Sequence, residues 1–515
     1  MKSFPVPAPV EVDSYQASHV EMIPPGMERF QLSQGVFRKP LHYGGDETAD
    51  LRIQFGGLEF IKLENGFSEP ITDKCIKQSR EFWGDYNLGS QHPWPEEMFE
   101  RIVKEFKGFY PICIMSLRPG QAHYVGEPHM QAFTDVKGMG ECIGWIESTV
   151  GPYLWTMSTV ATRGRVRMDR LIKELKKVYP SKSRNDLRAM ALTRFHDFGR
   201  RGGSISQMTG IAHLYNWLGS DTSDAAFAAR FYLNNGKSFG AGSIPAGAHR
   251  SVTPWPKEDQ AYDRLFSLTK KYKVIAEVAD SYGYSQGIRK LAKYAEVVKA
   301  NGSFFVGRPD SGDPVECVIE GLNVLAEAFG TYLQESGLKM IHNAGIIQGD
   351  GVSDRLWFEH IIPAVIAAGF CPMNVAIGMG EYNHRAVRSD MEWGWKTAEV
   401  GIEDKQFPSG YRSVMKGSNN LWKRSYPGPV GINYSRLTNR VYPITTQQLL
   451  AGEFGEWVIA YDGRSNPFPV AEYELFDYTR SRAWETWENL PSHVGDTVAP
   501  ELRKMQEEYL KAMKE

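Results

Sequence analysis

Nine consecutive residues, His196-Asp197-Phe198-Gly199-Arg200-Arg201-Gly202-Gly203-Ser204, crowd a histidine, an acid, an aromatic ring and two arginines between glycines. Glycines let a backbone approach a ligand closely, and arginines grip an anion through paired N–H groups. The competing account is a tight turn with surface arginines. Further along, Asp310 in RPDSGDP and Asp350 in QGDGV sit in glycine-flanked turns after apolar runs, with Arg308 beside the first. Carboxylates so placed can hold sugar hydroxyls or Mg²⁺. One such Asp is as readily an Asx-turn or a helix N-cap. Two in successive units favour a ligand. Gly378-Met379-Gly380 frees backbone N–H groups ahead of a helical stretch, a weak phosphate signal on its own. His249 in PAGAHRSV follows another short apolar start, and Arg388, Lys396, Lys405 and Lys416 form a sparse cationic series. A lone histidine is more often structural than catalytic, and most lysines are only solvated.

The elements that position these residues have a rhythm. The runs VIAEV, FFV, GII and VAI end at Asp280, Asp310, Asp350 and Gly380, markers 30, 40 and 30 residues apart. Strand–loop–helix units of that length build a parallel β/α array, with ligands at the C-terminal ends of its strands. Before this region, 53–61 and 110–115 read as strands. The stretch 93–107 reads as a helix with Met98, Phe99, Ile102, Val103 and Phe106 on one face. The aromatic stretch 141–160 suits a buried helix, and 163–177 a basic amphipathic helix whose charges read most simply as a solvated face. Beyond about 394 the rhythm is lost. Residues 408–431 read as a long loop, 441–462 regain strand and helix character, and 499–515 form a charged helix.

Composition narrows the class. The chain has 515 residues, 42% hydrophobic and 23% charged, with 26 Phe, 24 Tyr and 13 Trp, which excludes disorder as its main theme. A formal net charge of -2 calls for neither nucleic acid nor a membrane surface as partner. The longest nearly apolar stretch, 361–371, is far short of the ~20 residues of a membrane span. The start MKSFPVPAPV lacks a signal-peptide core, and the five cysteines (Cys75, Cys113, Cys142, Cys317, Cys371) form no CxxC pair. A cytoplasmic location is the expectation. GxxxxGK[ST] and HExxH are absent, which argues against a Walker NTPase and a zincin.

An ordered series of short motifs carries a resemblance. It includes Asp13-Ser14-Tyr15 with His19, Pro24-Pro25, Gly57-Leu58, Trp145-Ile146-Glu147, Val160-Ala161-Thr162 and His196-Asp197-Phe198-Gly199 with Arg201-Gly202. It continues through Gly219-Ser220-Asp221-Thr222, Pro245-Ala246 with His249, Asp280-Ser281-Tyr282, Arg308-Pro309-Asp310-Ser311-Gly312 and Gln348-Gly349-Asp350-Gly351-Val352. Along nearly its whole length the chain resembles the nicotinamide phosphoribosyltransferases of the type II phosphoribosyltransferase superfamily.

The resemblance implies an α/β fold: an irregular (β/α) barrel core plus a second, sheet-rich α+β domain formed from both chain ends. The expected division is 1–155 and 395–515 in the second domain and 156–394 in the catalytic core. It further implies a homodimer with shared active sites and a reaction of nicotinamide with phosphoribosyl pyrophosphate (PRPP) giving nicotinamide mononucleotide (NMN) and pyrophosphate, with Mg²⁺. By the same resemblance Phe198 and the partner subunit's Tyr15 sandwich the ring, Asp221 accepts from the carboxamide NH₂, and Arg308, Arg201 and His249 lie near the ring and the departing pyrophosphate. Asp310 and Asp350 hold ribose hydroxyls. Gly349, Gly351, Gly378 and Gly380 approach the sugar phosphate, and Arg38, Arg388 and Lys396 neutralise it. ATP phosphorylates the active-site histidine in the family. His249 matches it, while the preceding position, usually Glu, is Ala248. No residue is singled out as a metal ligand.

A buried Asp221 facing the carboxylate of nicotinate is a like-charge contact, which favours nicotinamide over nicotinate. A metal-dependent barrel hydrolase leaves the aromatic and arginine cluster without a role. A non-catalytic relative has no physical need for Asp221, Asp310, Asp350, His249 and Arg308 together.

Overall fold

The computed structural model describes residues 5–41, 50–64, 66–418, 423–464 and 475–513. They fall into two compact units. One comprises the described residues up to Thr162 and from Ala386 onward, the other Arg163–Arg385.

The first unit is built on a six-stranded antiparallel sheet in the order Tyr411–Ser413, Gly394–Gly401, Gln31–Val36, Pro128–Thr134, Cys113–Ser116, Val458–Asp462. Gln31–Val36 pairs on one side with Pro128–Thr134 and on the other with Gly394–Gly401, so both ends of the chain enter one sheet. The helix Glu96–Glu105 buries Met98, Phe99 and Ile102, the face its spacing predicts. The strand expected at 53–61 stops early. Arg52–Gln54 is extended, then Gly57 turns at φ 111 and Leu58–Leu63 is a 3₁₀ helix. A Cβ at Gly57 would run into the Tyr153 carbonyl, so neither the backbone angle nor the space admits a strand residue there.

The second unit holds a parallel six-stranded sheet: β1 (Phe195–Asp197), β2 (Gly219–Ser220), β3 (Val274–Val278), β4 (Phe304–Arg308), β5 (Ala344–Gln348) and β6 (Val375–Met379). Its order is β2-β1-β6-β5-β4-β3. Isolated parallel bridges join Gly219 of β2 to Gly242 and Ala276 of β3 to Ala246. One short segment therefore meets both edges, and the sheet curls into an irregular barrel. The strands are short and apolar because helices cover a parallel sheet. Asp313 caps Pro314–Phe329, accepting from the N–H groups of Val315 and Glu316, and so leaves Asp310 as the free acid of the RPDSGDP turn.

The basic run at 163–177 is not a solvated face throughout. Arg165 and Arg167 are fully buried. Arg167 donates to Asp354 at 2.5 and 3.1 Å and to the Asn383 amide oxygen at 2.7 Å. Charge density alone could not reveal that its partners lie some two hundred residues away. No described helix is long and apolar enough to cross a membrane.

Candidate active site

The C-terminal ends of the parallel strands gather most of the residues singled out from sequence. His249 opens a one-turn helix, His249–Val252, just past the segment that bridges the sheet edges. Its Nδ1 lies 3.0 Å from Ser281 Oγ and its Nε2 3.3 Å from Asp310 Oδ2. Asp280, at the end of β3, lies 3.8 Å from the same Nε2; it is 2% exposed and its Oδ1 has no hydrogen-bond partner. Its other oxygen accepts from the Ser311 hydroxyl. Arg308 closes β4 with Nε 4.0 Å from Asp310 Oδ1, and that buried Nε is also unpaired. An imidazole 44% exposed thus stands between two carboxylates beside a guanidinium with an unused donor. Such a set can orient a polyhydroxylated, phosphorylated substrate.

Phe198 follows β1, its N–H donating to Met379 O of β6 at 2.9 Å. Its ring lies over two glycines. A Cβ at Gly378 would collide with the ring, and one at Gly349 would come to 3.0 Å from Cε2. Gly380 makes room in the same way for the Arg201 stem. Gly378 of β6 and Gly380 just past it therefore admit side chains. Asp221, just past β2, accepts from the Ser243 hydroxyl, and its Oδ2 lies 3.5 Å from His196 Nδ1. The carboxylate expected to be buried keeps 38% of its side chain exposed and is fixed by the serine instead. Asp350, after β5, is exposed, and Gly351 turns at φ 62 with open space on its Cβ side.

The remaining residues belong to the other unit. Tyr15 is 60% exposed on the short helix Ser14–Ala17 and meets His19 edge-on at 5.6 Å. Arg38 occupies the space that the missing side chain of Gly394 leaves, and burial followed by the nearby Arg388 lowers its pKa. Burial likewise lowers that of Lys396, whose cationic neighbours are Arg38, Lys416 and Arg388. Arg38, Arg388, Lys396 and Lys416 thus form one cationic cluster, which suits phosphate. Lys396 also lines a cavity of about 320 Å³ with Glu141 and Glu147, and burial pushes the Glu141 carboxyl up to about 7.

Mg²⁺ takes hard oxygen ligands, commonly one or two carboxylates and otherwise substrate phosphates and water. Asp310 and Asp350 meet that description, and no cluster of three or more metal-ligating His, Cys, Asp or Glu exists among the described residues. The fit is to an ion carried largely by a diphosphate.

Sequence reading passed over several members of this constellation. Asp280 marked a strand end and His196 headed the nine-residue cluster without either receiving a role, and Ser243 and Ser281 received none. Their signal was adjacency, since each lies at a strand end or in the 242–249 segment. Glu277 gave no signal at all. It is buried in β3 against Gly247, where no side chain would fit, and burial raises its carboxyl to about 7.

Comparison with known proteins agrees with the geometry. Residues 193–436 match the nicotinate phosphoribosyltransferase (NAPRTase) family. The nicotinamide phosphoribosyltransferase of Xanthomonas campestris is 30% identical over 386 residues, 72% of this chain and 76% of the relative. That of Acinetobacter baylyi is 25% identical over 416 residues, 74% and 79% of the two chains. In fold, the chain is similar to nicotinate-nucleotide pyrophosphorylase from Pyrococcus furiosus, with TM-score 0.56 and 13% identity over 95% of this chain and all of the other. Human nicotinic acid phosphoribosyltransferase gives TM-score 0.53 and 12% identity over 97% and 99%. With the strand-end site on a barrel of this fold and a relative matched over three quarters of its length, the chain belongs to the nicotinamide phosphoribosyltransferases of the NAPRTase family, enzymes of phosphoribosyl transfer.

Proposed function

We propose that this enzyme transfers the phosphoribosyl group of PRPP to nicotinamide, giving NMN and pyrophosphate in salvage of the pyridine ring for NAD. The observation that carries the substrate is Phe198, laid over Gly378 and Gly349, with the serine-held carboxylate of Asp221 at a neighbouring strand end. A flat heteroaromatic carrying a carboxamide matches that pair: the ring stacks and the NH₂ donates to Asp221.

The pyridine nitrogen is a weak nucleophile, so alignment with ribose C1 and stabilisation of charge supply most of the catalysis. Phe198 holds the ring plane. The ring becomes a pyridinium as its nitrogen bonds to C1, and an aromatic face favours that cation. Asp310 and Asp350 hold the ribose hydroxyls and lower the energy of positive charge on the sugar as the C1–O bond to pyrophosphate breaks. Arg308 and Arg201 meet the departing pyrophosphate. Mg²⁺, when bound with the diphosphate, would neutralise part of the leaving group's charge. We further propose a homodimer in which Tyr15 of the partner subunit covers the second ring face and the Arg38–Arg388–Lys396 cluster serves phosphate. ATP coupling through phosphorylation of His249 belongs to the same reading, with Nε2 3.3 Å from Asp310 Oδ2. A cytoplasmic location suits free cysteines and these soluble substrates.

The test is a mass-spectrometric product assay with PRPP, Mg²⁺ and equal nicotinamide and nicotinate, with and without ATP. NMN as the product supports the reading. Nicotinic acid mononucleotide as the main product keeps the reaction and overturns the substrate. No mononucleotide from folded protein overturns both.

A further inference from the structure

Behind the ring-contact residues lies a buried polar cluster that the reaction as described does not use. Asp197 is fully buried at the end of β1, immediately before Phe198. Thr222 is buried immediately after Asp221, and its hydroxyl donates to Asp197 Oδ2 at 2.5 Å. The backbone repeats the link, with Asp221 N–H donating to Asp197 O at 2.9 Å. The Thr222 methyl is used as well. It fills the notch left by Gly199 and Gly210, where a Cβ at Gly210 would come within 3.1 Å of it and one at Gly199 would overlap it.

The remaining neighbours of Asp197 give it little. His213 Nε2 is 3.8 Å from Oδ1 but makes its 2.8 Å hydrogen bond with Gly219 O. His384 Nε2 is 3.8 Å from Oδ2 and unpaired, and its Nδ1 lies 2.6 Å from Thr209 Oγ1. Asp197 Oδ1 is likewise unpaired, and burial raises the Asp197 carboxyl above the usual range. Two hydroxyls tie this carboxyl, Ser220 just before Asp221 and Thr222 just after it, and the Thr222 bond is 2.5 Å long. Asp197 precedes one ring-contact residue and Thr222 follows the other.

We propose that Thr222 is a positioning residue for the pyridine site: through Asp197 it fixes the spacing between Phe198, which stacks the ring, and Asp221, which reads its carboxamide. This rests on the pyridine-site reading above. The hydroxyl sets the spacing, and the methyl seals the turn against Gly199. A shift of a few tenths of an ångström between the two strand ends loosens carboxamide readout and leaves Arg308 at the end of β4, and Asp310 and Asp350 after β4 and β5, where they are.

Two near-isosteric variants separate hydroxyl from methyl. Thr222→Val keeps the shape and loses the donor, while Thr222→Ser keeps the donor and loses the methyl. Thermal melts and steady-state constants for both substrates are measured on each, with nicotinamide binding by calorimetry. The expected result for Thr222→Val is a KM and Kd for nicotinamide about tenfold higher, the size of one hydrogen bond, with KM for PRPP within about twofold. Thr222→Ser stays within about threefold of the parent for both substrates. A purely structural role lowers Tm and moves both substrates alike, and that result overturns the proposal, as does a Thr222→Val variant with unchanged nicotinamide binding. A parent that binds nicotinamide with this Thr222 dependence but forms no mononucleotide sinks the assigned reaction and leaves the positioning role standing. A parent that binds no pyridine base sinks both.

Discussion

On the proposed reading, substrate choice turns on Asp221. Its carboxylate is held by the Ser243 hydroxyl and remains partly exposed, so repulsion of a nicotinate carboxylate is damped by solvent. We expect Asp221→Asn to narrow the nicotinamide-to-nicotinate ratio of kcat/KM by at least about tenfold. An unchanged ratio in a competition assay would mean that another group makes the choice. Gly378 gives a steric counterpart. Any side chain there pushes into the Phe198 ring, so Gly378→Ala should lower kcat/KM for nicotinamide by about tenfold or more while the protein stays folded by circular dichroism. Full activity in that variant would show that the ring position of Phe198 does not matter. Gly378 was legible in the sequence because glycines end an apolar run there, whereas Asp221 came from the resemblance alone. Ser243, Asp280 and Thr222 were less legible. A serine or threonine beside a known site residue is common, and only the fold shows which one points inward.

At the level of elements, β3 to β6 could be read from their apolar runs and regular spacing, whereas β1 and β2 could not. Phe195–Asp197 and Gly219–Ser220 have three and two residues, too few for any periodicity, and their place beside β6 is fixed by long-range pairing. The helix Gly151–Val178 shows the opposite case, easily recognised as helix and misleading in its charges. Arg167 is locked to Asp354, at the start of the helix after β5, and to Asn383, after β6. Breaking a buried ion pair from one side leaves its partner uncompensated and typically costs about 3–5 kcal/mol. Arg167→Met should therefore lower the urea midpoint markedly, and Asp354→Leu in the same chain should restore part of the loss. A single variant as stable as the parent would show the pair to be dispensable.

Across the whole molecule, both units keep buried histidines uncharged. Burial lowers His123 and His213 to about 3 and His384 to about 4, and holds His129 well below its usual value. A histidine in the unfolded chain titrates near about 6.5. Below that pH the unfolded state binds protons that the folded state refuses, so the stability these groups contribute is complete above about 6.5 and is lost as pH falls toward their folded values. The raised carboxyls of Glu141 and Glu277 act the opposite way between about pH 7 and 4.5, and the four rings outnumber them, so the melting temperature should fall on balance between about pH 6 and 4. A flat profile there would contradict the burial of these rings. The segment that meets both edges of the parallel sheet has a different consequence. It bonds β2 through Gly242 and β3 through Pro245 and Gly247, and it carries Ser243 while leading into His249. On the proposed reading the barrel's seam thus runs through the catalytic centre. A bound nucleotide that touches Asp221 on one lip and His249 on the other is a stitch across that seam. Substrate occupancy should then slow hydrogen exchange most at the amides of Gly242 and Gly247, making the ligand part of what holds the barrel shut.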